Sequence, residues 1–87
     1  MGFTRVEFLR ILPAALHDYP YTQEHDCIQV TVDGKLLTIT LGEEQVRRIA
    51  MLALPWIPVE FDYSRIGDVP FQTFLRQFDL YYRKGGG

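Results

Sequence analysis

Apolar and polar positions along the chain follow a helical rhythm, then a strand rhythm, then a helical rhythm again, and each stretch predicts an element. Thr4-Arg5-Val6-Glu7 is a capping-box pattern, in which a threonine hydroxyl and a glutamate carboxylate satisfy each other's backbone donors at a helix start. Phe8, Leu9, Leu12 and Leu16 then recur at helical spacing. A helix from Arg5 is predicted, with Val6, Phe8, Leu9 and Leu12 toward the core. Pro13 lacks an N–H and is expected to end, kink or restart that helix near Ile11–Leu12. From His17 to Asp26 no apolar period is sustained, and the stretch reads as a connecting loop.

The runs Ile28-Gln-Val30-Thr-Val32 and Leu37-Thr-Ile39-Thr-Leu41 alternate strictly around Asp33-Gly34. An Asp-Gly turn of type I′ pairs Val32 with Lys35, hence Val30 with Leu37 and Ile28 with Ile39, which gathers the apolar side chains on one face. The opposite face carries Gln29, Thr31, Thr38 and Thr40, so one face is buried and the other solvated. Residues 43–54 fit two templates. Val46, Ile49, Ala50 and Ala53 make a helical stripe, while Ile49, Met51 and Ala53 alternate as in a strand. Good helix formers, Glu43 and Glu44 at the start and Pro55 at the stop favour a helix; the rival is a further strand extending the sheet as a meander.

After Pro55-Trp56-Ile57-Pro58, the stretch Val59-Glu60-Phe61-Asp62-Tyr63 alternates apolar and acidic residues and predicts a half-buried strand. Phe71, Phe74, Leu75, Phe78 and Tyr82 then form a helical stripe beginning near Pro70. Arg83 and Lys84 suit a helix C-terminus, and Gly85 suits its left-handed cap, leaving residues 84–87 as a flexible tail. The expected fold is a single α+β domain over residues 1–87. It is a two-layer sandwich with N- and C-terminal helices on one face of a mainly antiparallel sheet of three strands, or four if 43–54 joins it.

Composition narrows the partners. With 87 residues the chain builds one core, burying roughly 60–65% of its unfolded surface. Nine Lys and Arg against eleven Asp and Glu give a net charge of -2, with no overall positive field for nucleic acid or anionic lipid. Met1–Leu16 interleaves Arg5, Glu7 and Arg10 with apolar residues, unlike a secretory leader, and no apolar run is long enough to span a bilayer, so a cytoplasmic address is expected. A single cysteine, Cys27, excludes an intramolecular disulfide.

Leu41-Gly42-Glu43, Arg48-Ile49-Ala50, Leu54-Pro55 and Phe78-Asp79, followed by Tyr82-Arg83-Lys84-Gly85-Gly86-Gly87, resemble an uncharacterised family of short bacterial proteins. The resemblance covers about half the chain. It implies a compact bacterial domain and brings no catalytic residue with it.

Candidate chemistry is sparse. His17, His25 and Cys27 place every nitrogen and sulfur ligand within eleven consecutive positions, a loop that could wrap a transition metal, although no C-x-x-C or H-x-x-x-H spacing is present and ordinary loop and strand roles account for all three. Glu60 and Asp62 share a strand face, close enough for one carboxyl to raise the other's pKa, or simply to keep an edge strand solvated. Gly86 and Gly87 resemble the terminus that ubiquitin-like sulfur carriers present to an adenylating enzyme, but in that β-grasp fold a strand, not a helix, leads into the glycines. Trp56 between two prolines, with Tyr19, Tyr21 and Tyr81, could anchor an interface. With no phosphate loop or nucleophile elbow in the chain, the expectation is a non-enzymatic domain without cofactor that binds another protein or itself.

Overall fold

In the computed structural model, which describes residues 1–85, Asp33 and Gly34 both adopt positive φ (54° and 73°), as a type I′ turn requires. They join β2 (Cys27–Val32) to β3 (Lys35–Leu41). The register is the one the turn dictates, with Val30 opposite Leu37 and Ile28 opposite Ile39. Ile28, Val30, Val32, Leu37, Ile39 and Leu41 are all buried on one face. Two further strands complete an antiparallel sheet in the order β1-β2-β3-β6. On one edge, β6 (Val59–Asp62) turns Val59 and Phe61 inward and exposes Glu60 and Asp62, as its alternation predicts. On the other edge, β1 (Tyr21–Glu24) occupies part of the stretch expected to be a loop. Only Tyr21 packs on the core there, so an apolar period has nothing to report, and the strand is held by backbone pairing to β2 and by the Thr31 N–H bond to the Pro20 carbonyl (2.9 Å).

Two helices cover the inner face. The capping box of α1 (Arg5–Ala15) is complete: the Glu7 N–H donates to Thr4 Oγ1 and the Thr4 N–H to Glu7 Oε1, both at 3.1 Å. Hydrogen bonding from the Thr4 N–H, and next from the Thr4 side chain, holds the Glu7 carboxyl below its ordinary pKa. Contrary to expectation, α1 runs through Pro13 to Ala15. The ring sits in the last turn on the exposed side, and the Leu16 N–H closes the helix beyond it on the Leu12 carbonyl (3.0 Å), while Leu12, Ala15 and Leu16 are all buried. Val6 is a second departure, exposed at 74%, with Phe3 entering the core from before the helix.

The C-terminal helix α2 (Asp68–Gly85) carries the predicted stripe, with Phe71, Phe74, Phe78 and Tyr82 buried and Leu75 at the rim. It includes residues 84 and 85, so neither the flexible tail expected from residue 84 nor the cap expected at Gly85 is found at those positions; residues 86 and 87 lie outside the described residues. The four buried rings form a continuous column, adjacent centroids lying 6.4, 5.8 and 4.5 Å apart. Phe8 of α1 stacks on Tyr82 at 4.7 Å, and Phe61 of β6 meets Phe78 edge-on at 5.3 Å, so both helices and the sheet share one aromatic contact. The Tyr82 hydroxyl donates to the Phe8 carbonyl at 2.8 Å.

The largest departure lies between β3 and β6. Residues 43–54 form no helix; β4 (Gln45–Ile49) and β5 (Leu52–Trp56) pair as a separate two-stranded ribbon. Leu41 and Val59 are partners across neighbouring strands, so the chain between them must return to where it left. A hairpin does so by construction, whereas a helix of twelve residues would end about 18 Å away. Helix propensity yields to closure. Nor does the ribbon extend the sheet as the rival reading would have it.

Truncating the column, by Phe74→Ala or Phe78→Ala, is expected to cost about 3–5 kcal/mol in chemical denaturation; a loss under about 1 kcal/mol would place α2 outside the cooperative core. Tyr82→Phe should cost about 1–2 kcal/mol by removing a buried hydrogen bond. Burial, with a smaller contribution from Tyr21, raises the Tyr82 pKa well above its ordinary value near 10. The unfolded chain therefore releases this proton first, so stability should hold below pH about 10 and fall above it. In denaturation midpoints measured from pH 8 to 11, Tyr82→Phe should flatten that fall.

Candidate functional site

Residues 45–56 make an arm whose strands touch each other and no other strand or helix among the described residues. The pairing Arg47↔Leu54 and Ile49↔Leu52 places Arg47, Ile49, Leu52, Leu54 and Trp56 on one side of the ribbon. The other side holds Val46, Arg48, Ala53 and Pro55. Apolar side chains dominate both sides without cover: Met51 at the tip is 100% exposed, Leu52 62%, Val46 58% and Ile49 52%. Near the root, the Arg47 guanidinium lies over the half-buried Trp56 ring, 5.8 Å from its centroid. Gln45, Val46, Arg47 and Trp56 border an open cleft of about 400 Å³.

The root is fixed to the body. Ile57 is fully buried and its N–H donates to the Met1 carbonyl at 2.8 Å. Gly42 donates to the Pro58 carbonyl at 2.8 Å and lies so close to the proline ring that a Cβ at position 42 would stand 2.9 Å from two of its carbons. A glycine is required there by close approach. Glu44 reaches across to α1, where its Oε1 accepts from the Arg5 N–H at 2.6 Å. Glu44 thus does favour a helix N-terminus, but that of α1 instead of one of its own.

The tip is strained. His25, Asp33 and Ala50 each hold φ near +54° in their hairpin turns (55°, 54° and 53°). Asp and His tolerate this region better than alanine, which offers no side-chain hydrogen bond in return.

Of the predicted interface residues, Trp56 alone stands on the arm. Tyr19, Tyr21 and Tyr81 are half-buried and packed on the core, Tyr19 edge-on to Phe74 at 5.2 Å and Tyr81 edge-on to His17 at 5.8 Å. The ligand set does not assemble. His17, at the end of α1, places Nε2 3.0 Å from Asp18 and Nδ1 3.0 Å from the Ala14 carbonyl. His25 and Cys27 line a different feature, a cleft of about 200 Å³ at the β1–β2 turn with Thr22, Glu24 and Gln29. Among the described residues no three His, Cys, Asp or Glu side chains group closely enough to hold a metal ion. At β6 the Ser64 hydroxyl and N–H donate to Asp62 Oδ1 at 2.8 and 3.1 Å and pull its pKa down, so Asp62 is not the raised acid its pairing with Glu60 suggested. Gly86 and Gly87 lie outside the described residues, and the element before them is a helix, not the strand of a β-grasp carrier.

The exposed apolar residues of the arm escaped the reading of residues 43–54 as a helix. The alternation of Ile49, Met51 and Ala53 was the available signal, and it carries no information about which side is covered. Comparison with protein families, with curated proteins and with solved structures gives no match. Among the described residues no helix is long and apolar enough to cross a membrane.

Relief of the turn should register locally. Ala50→Gly is expected to slow amide hydrogen exchange across β4 and β5 roughly fivefold, about 1 kcal/mol, while global stability stays within about 0.5 kcal/mol. Unchanged arm exchange would mean that the turn stores no strain.

Proposed function

We propose that this protein is a binding module without catalysis of its own, and that the β4–β5 arm is its binding element. One observation carries the reading: the arm leaves its large apolar side chains uncovered while its root is held by buried Ile57 and by the Gly42–Pro58 contact. A lone two-stranded ribbon is marginal in water, and a partner surface that covers one side of it supplies the missing burial. The fixed root keeps the ordering cost of binding low, because the arm already points where it will dock. Trp56, packed under Arg47 where the arm meets the body, fits the aromatic anchor of such an interface, with Leu52 and Leu54 extending the contact toward the tip.

The test is site-specific photo-crosslinking of the full chain in cells that express it. A crosslinking residue at Met51 should form covalent adducts, whereas one at Gln72, exposed on α2, should not. Trp56→Ala should weaken the interaction by about 2 kcal/mol, roughly thirtyfold, with little loss of thermal stability. Adducts from position 72 and none from position 51 would move the binding element off the arm.

A further inference from the structure

The charge of the arm narrows what it can bind. Residues 45–56 include Arg47 and Arg48 and no carboxylate, a formal +2; the remainder of the chain, with seven basic and eleven acidic residues, carries -4. Packing one arm against another by the same side would set two guanidinium groups against each other, Arg47 on Arg47 or Arg48 on Arg48, which opposes arm-to-arm contact. A complementary surface exists on this same chain. The helices cover only the inner face of the sheet, and the outer face is open. Cross-strand pairing puts Glu24, Cys27, Thr40 and Glu60 in one row across it and Asp62 in the next. No Lys or Arg of the four strands joins them, since Lys35 pairs with Val32 on the other face. Arg65 borders Asp62, but Glu24 and Glu60 make no ion pair among the described residues. Threonines and the half-buried Leu36 fill the face between the acids.

The arm does not lie on that face of its own chain. It leaves from the Leu41 and Val59 end of β3 and β6 with its root locked, and the molecule extends 46 Å along its long axis against 24 and 21 Å across. We propose that two copies of this chain form a two-fold dimer by arm exchange, the basic, apolar β4–β5 arm of each lying on the acidic outer sheet face of the other. This rests on the arm being the binding element. Exchange of both arms covers Ile49, Leu52 and Leu54 of each chain together with the sheet face beneath them, and a stable dimer of this kind buries roughly 1,200–2,000 Å² in all. Because the exchange is reciprocal, it closes at two copies and leaves no arm free to propagate a chain.

A charge exchange in the purified full-length protein decides the matter. Sedimentation velocity should show the unaltered chain as a dimer at micromolar concentration. Arg47→Glu with Arg48→Glu, and separately Glu24→Lys with Glu60→Lys, should each weaken the dimer at least tenfold; every altered position is exposed, and circular dichroism checks that both variants fold. Mixed in equal amounts, the two variants should recover a heterodimer, since an acidic arm then meets a basic face and a basic arm an acidic one. A chain that stays monomeric at several hundred micromolar, variants that dimerise undiminished, or a mixture that stays monomeric would overturn the proposal. A monomeric chain whose Met51 adducts contain a different protein would leave the arm as the binding element and remove only the self-pairing; no adducts from Met51 would remove both.

Discussion

The aromatic column on α2 is the contact on which the other elements depend. A four-stranded sheet with one apolar face needs a lid, and among the described residues two helices provide it. Phe71, Phe74, Phe78 and Tyr82 give α2 a ridge of rings long enough to bridge the sheet and α1 at once. Rings suit the task because each covers a large area with few torsions to order. The Tyr82 hydroxyl adds direction to a non-directional force: by bonding the Phe8 carbonyl it sets how far α1 can slide along α2. The Gln77 side chain, donating to the Ala15 carbonyl at 3.3 Å, ties the other end of the same helix pair.

Where burial imposes a period, the sequence and the structure agree. The β2–β3 register follows from Asp33-Gly34 and six alternating apolar residues, and the α2 stripe follows from five residues at helical spacing. Both patterns exist because a core lies on one side. The failures fall where no core does. The edge strand β1 is held by backbone bonds that any polar side chain permits, and β4–β5 has no covered face for its apolar residues to mark. Pro13 shows a third limit: it breaks a helix that must continue, but in a last turn whose buried residues hold it from both sides it only withholds one donor.

The candidate site was legible in one residue. Trp56 between two prolines signals an aromatic on stiff backbone, and it does lie on the arm. The remaining arm residues were hidden by an intrinsic preference for helix that chain closure overrides. Tyr19, Tyr21 and Tyr81 illustrate the reverse error: in a small domain a tyrosine outside the main period still has core surface within reach.

The separation of arm from body divides the chain by the kind of change each part tolerates. A substitution in the column or in the β2–β3 face alters the shared core and is opposed by unfolding wherever it enlarges or empties that space. A substitution between residues 45 and 54 leaves the core untouched, since among the described residues no other strand or helix packs on the arm and none of its side chains there joins the core. Only Gly42, Ile57 and Pro58, which aim the arm, belong to both regimes. Within those bounds the arm can change by drift alone, its scaffold unaltered, much as a loop varies on a fixed framework.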